Sequence, residues 1–290
     1  MRERPSWLKV RAPSGKQIEG MRAVRDALAR HRLTTVCQGA RCPNAAECWG
    51  ARTATFMLLG GTCTRACRFC AVPTGDPGGE VDCEEPERVA AAVAELRLSY
   101  AVLTSVDRDD LTDGGAWVFS SAIRAIKQRT PSTTVEVLVP DFSGRSEPLD
   151  RVVAAAPAVI GHNLETVRRL SPSLRDPRAG YDRSLAVLSA LRQLAPQMVL
   201  KSSLMLGLGE SRKEVLEALS DLRAAGVDIL TLGQYLRPTA AAAPVSAYVS
   251  PEVFEALADA ARRLGFRAVV SGPFVRSSYR AAACYAQCCG

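Results

Sequence analysis

The sequence predicts an α/β protein with a largely parallel sheet, and three observations carry that prediction. From residue 53 onward, short apolar runs rich in β-branched residues alternate with longer segments that space their apolar residues at three and four. The strand-like runs are apolar on both faces, as in parallel strands covered by helices. The chain has 290 residues, 47% apolar and 23% charged, and can bury a large core without a disulfide or metal staple.

The first strand is expected at Thr53–Leu59, where an apolar run ends on Gly60 and Gly61. Helix Pro86–Leu98 follows, with Val89, Val93 and Leu96 along one face. Strand Tyr100–Ser105, helix Gly115–Arg129, strand Thr134–Val139, strand Ala158–His162, helix Ser184–Leu194 and strand Met198–Leu206 continue the alternation. Ser211, with Glu214 three residues on, makes a capping box for helix Arg212–Ala225, and Gly226 stops it. Strand Ile229–Leu232, helix Pro251–Leu264 with its stop at Gly265, and strand Arg267–Val270 complete the series. Six or so such units suit an incomplete barrel or a doubly wound sheet, and periodicity does not separate the two. In both, reactive groups belong at the C-terminal ends of the strands.

Ten cysteines stand beside only two histidines, His31 and His162. No apolar run reaches the roughly 20 residues of a membrane span, and no secretory signal follows Met1. A cytoplasmic location is therefore expected, where closely spaced cysteines bind metal more often than they pair. With so few histidines, any metal is held mainly by sulfur. Residues 1–72 carry a net charge of +9 and the remainder −2. This basic segment suits an acidic partner, an anionic cofactor or plain solvation. Few aromatics accompany it and no nucleic-acid-binding motif is present, so nucleic acid is not expected as a partner.

Cys63, Cys67 and Cys70 form a C-x3-C-x2-C loop directly after the first strand. Three thiolates fall one short of a structural zinc site. On a cubane of four irons they leave one iron open for a ligand with its own chemistry. A second set, Cys37, Cys42 and Cys48, lies upstream as C-x4-C-x5-C. Arg41, Pro43, Asn44 and Glu47 mark its surroundings as a loop rather than a core element. Three apolar core cysteines are the alternative reading.

The Cys63–Cys70 loop resembles the cluster motif of the radical S-adenosylmethionine (SAM) superfamily, and the two triplets in this order resemble the lipoyl synthase family. So do Leu103–Leu111, Glu136–Phe142, Leu206–Glu210, Leu232–Thr239 and Ser271–Tyr279, so that the likeness covers nearly the whole chain. It implies a partial (βα)6-type radical SAM barrel over residues 53–272, an N-terminal extension over 1–52 carrying the auxiliary cysteines, and a C-terminal extension over 273–290. It implies two 4Fe-4S clusters and SAM as cofactors. Cys63, Cys67 and Cys70 would hold the cluster that splits SAM into methionine and a 5′-deoxyadenosyl radical. Cys37, Cys42, Cys48 and the second serine of Arg276–Tyr279, Ser278, would hold an auxiliary cluster that gives up its sulfur. Sulfur would enter at C6 and C8 of an octanoyl chain on a lysine of a carrier domain.

The resemblance also implies SAM contacts. Asn163 and Glu165 resemble the ribose-binding pair, and Met205 opens the stretch along the adenine. Lys201 is expected to face the SAM carboxylate, with an interior salt bridge as the alternative. Gly78-Gly79-Glu80 spells a superfamily string but reads as a turn, so that string's role is placed at Thr104 and Ser105. Expected partners are octanoylated lipoyl carrier domains, a ferredoxin or flavodoxin, and an iron–sulfur carrier for cluster repair, with the chain acting as a monomer. The sequence departs from the family at Gly39, Ala240–Ala243 and Arg280. Cys83, Cys284, Cys288 and Cys289 have no implied role and read as surface or tail residues. The rivals are another sulfur-inserting radical SAM enzyme and a non-catalytic iron–sulfur or zinc protein.

Overall fold

The computed structural model describes residues 4–9, 13–39, 42–50 and 54–290; Arg41 and Thr53, named above, lie outside them. Among the described residues, eight strands form one sheet in chain order: β1 (Thr34–Thr35), β2 (Thr55–Leu58), β3 (Tyr100–Ser105), β4 (Thr134–Leu138), β5 (Val159–Gly161), β6 (Val199–Leu206), β7 (Ile229–Gln234) and β8 (Ala268–Gly272). β1 lies antiparallel to β2, and each later pair is parallel. Because the order never reverses, the sheet has no switch point of the doubly wound kind and curls as a barrel. Among the described residues β8 pairs only with β7, so the barrel stays open on one side.

The helices are α1 (Gly15–Arg30), α2 (Val36–Gly39), α3 (Ala45–Gly50), α4 (Glu85–Glu95), α5 (Ala116–Arg129), α6 (Ser146–Ala154), α7 (Ser171–Leu174), α8 (Tyr181–Leu194), α9 (Arg212–Ala224), α10 (Pro251–Arg263) and α11 (Ala281–Cys289). The predicted capping box is in place, with Glu214 N–H donating to Ser211 Oγ and Ser211 N–H to the Glu214 carboxylate. Gly78 and Gly79 have φ of 67° and 74° and form the predicted turn. Pleat alternation sends Phe56, Leu58, Leu103, Val137 and Leu200 against the helices. Thr55, Val102, Thr104, Glu136, Leu138, Gly161 and Lys201 line the lumen. No helix among the described residues is long and apolar enough to cross a membrane.

Two expectations are corrected at the chain ends. The surroundings of the upstream triplet are not loop alone: Cys37 stands on α2 and is buried in the main core, and Cys48 stands on α3, while α1 packs Val24, Ala27 and Leu28 into the same core. Cys284 and Cys288 are not tail residues. They are buried on α11 against Val159, Val199, Ile229 and Ala268, at the N-terminal ends of their strands. Ala281 of α11 meets Tyr100 and Val102 in the same way. The last helix therefore plugs the bottom of the barrel. Cys83 and Cys289 are exposed, as expected.

Residues 273–280 run from β8 toward β2 along the open side. Asn44 Nδ2 donates to the Phe274 carbonyl at 2.6 Å, and Thr55 Oγ1 donates to Ser278 Oγ at 2.9 Å. Gly233 permits this path, since a Cβ there would fall 2.0 Å from the Val275 carbonyl oxygen.

Candidate active site

The Cys63–Cys70 loop leaves the top of β2 and is gripped from several sides. Cys63 N–H donates to the Pro73 carbonyl and Gly75 N–H returns to the Cys63 carbonyl, both at 2.9 Å. Arg65 is buried and donates to both oxygens of Asp109 and both of Asp141, at 2.7–2.9 Å, with Asp107 at 3.3 Å. One guanidinium thus ties the cysteine loop to the loops after β3 and β4. Burial pushes the Asp107 carboxyl up to about 6, against the pull of Arg65 and with the push of Asp141 and Asp109. Burial also pushes on Asp109, but hydrogen bonds from Arg65 and Thr64 outweigh it and hold that carboxyl at about 2. On the far side, Asp176 accepts from Ala66 N–H at 2.9 Å, and Arg68 N–H donates to the Leu174 carbonyl at 2.8 Å.

Each loop sulfur accepts one backbone N–H: Cys63 from Arg65 at 3.4 Å, Cys67 from Asp176 at 3.3 Å, and Cys70 from Val72 at 3.4 Å. Burial raises all three thiols, Cys67 to about 12, so a cation must replace their protons before they ligate as thiolates. The donor set fits an iron–sulfur cluster: three soft ligands, none in a disulfide, with hydrogen bonds ready for anionic sulfur. Among the described residues, no three His, Cys, Asp or Glu converge on a single-ion site. In a cubane each thiolate instead takes its own iron.

Beyond β5, Glu165 adopts a left-handed φ of 70° and joins the end of β6, its N–H donating to the Ser203 carbonyl at 3.0 Å. Its carboxyl is pushed up by burial and held down by Arg175 and by a hydrogen bond to Asn163. Met205 and Phe69 pack on one small cluster with Leu174 and Tyr235, joining the end of β6 to the cysteine loop. Thr104 Oγ1 donates to the Leu138 carbonyl at 3.0 Å and lines the lumen with Asn163. Ser105, the next residue, takes the opposite face of β3 beside the register position of Leu58. The expected pair is thus split between the two faces of β3 at its C-terminal end.

Lys201 departs from the expectation. Its ammonium is buried and donates to Glu136 Oε1 at 2.7 Å, while Glu136 Oε2 accepts from Tyr100 O–H at 2.6 Å. The interior salt bridge is therefore the right reading, and this ammonium is not free for a SAM carboxylate. A buried cation does stand near the loop, and sequence reasoning missed it. Arg175 exerts its charge on Cys67, Glu165 and Asp107. Its Nη1 donates to Ser184 Oγ at 2.7 Å, and its buried Nε has no hydrogen-bond partner among the described residues. His162 completes the chain: Nδ1 donates to the Val139 carbonyl, so Nε2 accepts from Ser184 O–H, both at 2.9 Å. Burial, then the charge of Arg175, hold His162 down at about 4. Arg175 sits between Pro172 and Pro177, where sequence alone reads a solvated loop residue.

The upstream triplet forms its own cavity of about 150 Å³, whose lining includes Cys37, Cys42, Cys48, Arg276, Ser277 and Ser278. Burial, then the neighbouring Cys37 and Cys42, push Cys48 up to about 12. Four expected ligands thus share one wall-lined space although Cys48 and Ser278 are 230 residues apart. Val36, Thr55, Ser277 and Ser278 also line the lumen cavity that contains Thr104 and Asn163. Ser278 therefore lies on the partition between the two spaces. The departures from family pattern have local partners: Arg280 pairs with Glu47 at 3.3 Å, and Ala243 N–H donates to the Arg68 carbonyl at 2.8 Å.

An open parallel barrel with a three-cysteine loop at the top of its first parallel strand defines a radical SAM enzyme, and residues 57–233 match the Radical SAM superfamily. The structure is similar to the FeFe-hydrogenase maturase HydG of Carboxydothermus hydrogenoformans, with TM-score 0.62 over 94% of this chain and 68% of that one at 13% identity. It is also similar to methylornithine synthase, with TM-score 0.55 over 88% and 78% at 13% identity. These likenesses speak for the fold. The sequence is 57% identical to the lipoyl synthase of Thermus thermophilus, over 97% of this chain and 86% of the relative. It is 56% identical to that of Halorhodospira halophila, over 97% and 83%. The chain belongs to the lipoyl synthase family, a family of radical SAM sulfurtransferases.

Proposed function

We propose that this chain inserts sulfur at C6 and C8 of an octanoyl group carried on the lysine of a lipoyl domain. In this reading Cys63, Cys67 and Cys70 hold the cluster that binds SAM, and Cys37, Cys42, Cys48 and Ser278 hold the auxiliary cluster. When bound, these groups supply the 5′-deoxyadenosyl radical and the sulfur. The observation that carries the reading is the cavity shared by three cysteines and Ser278, joined to the barrel lumen across Ser278 itself.

The chain's own residues divide the remaining work. Backbone N–H groups of Arg65, Val72 and Asp176 hold the loop sulfurs in place. Arg175 offers the charge a SAM carboxylate needs, Asn163 and Glu165 the polar pair for ribose hydroxyls, and Met205 and Phe69 an apolar edge for the adenine. Thr104 closes the wall between these groups and Leu138. The α11 plug excludes water from below, which protects a radical from being quenched. Ser278 contributes a hard oxygen to soft iron, the ligand most easily released.

The division into residues 1–52, 53–272 and 273–290 follows from these roles, the two extensions building the auxiliary site on the barrel. The partners are the octanoylated lipoyl domains of 2-oxoacid dehydrogenases or the glycine cleavage H protein. A ferredoxin or flavodoxin supplies electrons, and an iron–sulfur carrier rebuilds the auxiliary cluster. The chain works as a cytoplasmic monomer without nucleic acid or membrane. The test is anaerobic incubation of the reconstituted enzyme with SAM, reductant and an octanoyl-lysine peptide, read by mass spectrometry. A peptide carrying two added sulfurs supports the reading, whereas SAM cleavage without any sulfur gain overturns it.

A further inference from the structure

The lumen contains a feature that the proposed chemistry does not use: a buried ion pair at mid-depth. Lys201 Nζ and Glu136 Oε1 lie 2.7 Å apart, with both side chains almost fully buried, and Tyr100 donates to the other carboxylate oxygen at 2.6 Å. Beneath them the barrel is solid. Val159, Val199, Ile229 and Ala268 pack on Cys284 and Cys288 of α11, and Val102 and Tyr100 pack on Ala281. Above them lies space. Gly161 contributes no side chain there, and Val102, Leu138, Thr104, Asn163 and Ser278 form the walls. The result is a blind pocket with partly apolar walls and a charged floor, whose upper rim holds Asn163 on one side and Ser278 on the other.

Burying a charge pair costs desolvation that an apolar pair of similar volume avoids, so fold stability alone does not call for one here. A charged floor does something that an apolar one does not. An alkyl chain entering methyl-first stops on it, because any further methylene would have to strip hydrogen bonds from a buried charge or find room that α11 has taken. We infer that the Lys201–Glu136 pair, braced by Tyr100, is the gauge that limits the acyl chain to eight carbons and so holds its last carbons between this floor and the rim. This rests on the proposed insertion at C6 and C8, and it adds that the end of the chain enters the lumen, where the pair meets the terminal carbon and sets specificity without taking part in the chemistry.

One extra methylene against a packed wall costs roughly 10–200-fold in discrimination, so a decanoyl chain should bind about 100-fold or more weaker than octanoyl. The experiment measures anaerobic binding of fluorescent hexanoyl-, octanoyl-, decanoyl- and dodecanoyl-lysine peptides to the reconstituted enzyme with SAM. It records 5′-deoxyadenosine formed with each. The parent should show a sharp fall between eight and ten carbons. Lys201→Ala/Glu136→Ala removes both charges together and deepens the pocket, bringing decanoyl to within about 3-fold of octanoyl, most of the methylene penalty being gone. If that variant does not fold, Lys201→Met/Glu136→Met keeps the volume with a pliable floor and should narrow the gap at least 10-fold, as expected when a rigid polar stop becomes deformable. Equal binding of octanoyl and decanoyl peptides by the parent, or an unchanged gap in a folded variant, overturns the gauge alone. Failure of the parent to bind the octanoyl peptide at all overturns the underlying reading, and the gauge with it.

Discussion

Replacing Arg65 with alanine leaves Asp107, Asp109 and Asp141 without the cation they share, Arg178 remaining on Asp109 alone at 3.2 Å. The Arg65 side chain is 2% exposed, and Asp141 and Asp109 are 1% and 18% exposed, so solvent cannot take over the lost hydrogen bonds. Breaking a buried pair by removing one partner costs about 3–5 kcal/mol. That is a large share of the roughly 5–15 kcal/mol available to a domain, yet short of unfolding it outright. The pH dependence has a definite sign. Asp107 stands at about 6 with Arg65 pulling it down, so without Arg65 it rises further. A carboxyl raised in the folded state adds stability while protonated and loses it as pH rises. The deficit of Arg65→Ala should therefore be largest near pH 8 and shrink toward pH 5.5. Urea unfolding of the metal-free protein, followed by circular dichroism at both values, reads this directly. Anaerobic SAM cleavage reads the second consequence: a loop misplaced by about 1 Å loses on the order of 100-fold in rate. A deficit under 1 kcal/mol at pH 8 with normal SAM cleavage would refute the role given to Arg65.

Alanine at any one of Cys63, Cys67 and Cys70 should abolish 5′-deoxyadenosine formation while the auxiliary cluster still assembles, as iron counting and Mössbauer spectra would report; residual cleavage removes this loop from the chemistry. The basic charge of residues 1–72 should make binding of a whole acidic carrier domain salt-sensitive over about 50–200 mM, where the Debye length shortens through roughly 10 Å. A short octanoyl-lysine peptide should respond far less, and equal responses would leave the charge without a docking role. His162 is held at about 4, so the unfolded chain takes up its proton first as pH falls below 6.5. Its depressed value removes about 3 kcal/mol of stability between pH 6.5 and 4, at 1.36 kcal/mol per unit. In His162→Asn that slope should vanish from the unfolding curves, and an unchanged slope would place the titration elsewhere.

The parts legible in sequence were those set by local pattern. Tyr100–Ser105 appears residue for residue as β3 because its apolar run is bounded by turns. The Arg212 helix starts where Ser211 and Glu214 place it. α1 escaped notice because Gly15, Gly20 and three arginines dilute its apolar stripe. α11 escaped because alanines and cysteines carry no clear period, and only the barrel bottom gives them a face to bury. Site residues divide in the same way. The Cys63–Cys70 loop speaks for itself through spacing, whereas Ser278 was reachable only through resemblance to a family. Arg175, and the pairing of Lys201 with Glu136 across β4 and β6, depend on tertiary proximity that no local pattern encodes.

The central claim is that one oxygen-held corner of the auxiliary site, at Ser278, releases the sulfur. It is tested most directly by Ser278→Cys, assayed anaerobically for iron content, 5′-deoxyadenosine and thiolated peptide in the same reaction. Thiolate binds iron at least as well as alkoxide, so both clusters should assemble. SAM cleavage should persist, because the Cys63, Cys67 and Cys70 loop is untouched. Thiolated peptide should fall at least 100-fold, since a corner that must open is now held by a ligand that leaves reluctantly; the size is that of a group acting chiefly in the reaction step. Peptide thiolation by Ser278→Cys at the parent rate would contradict the account.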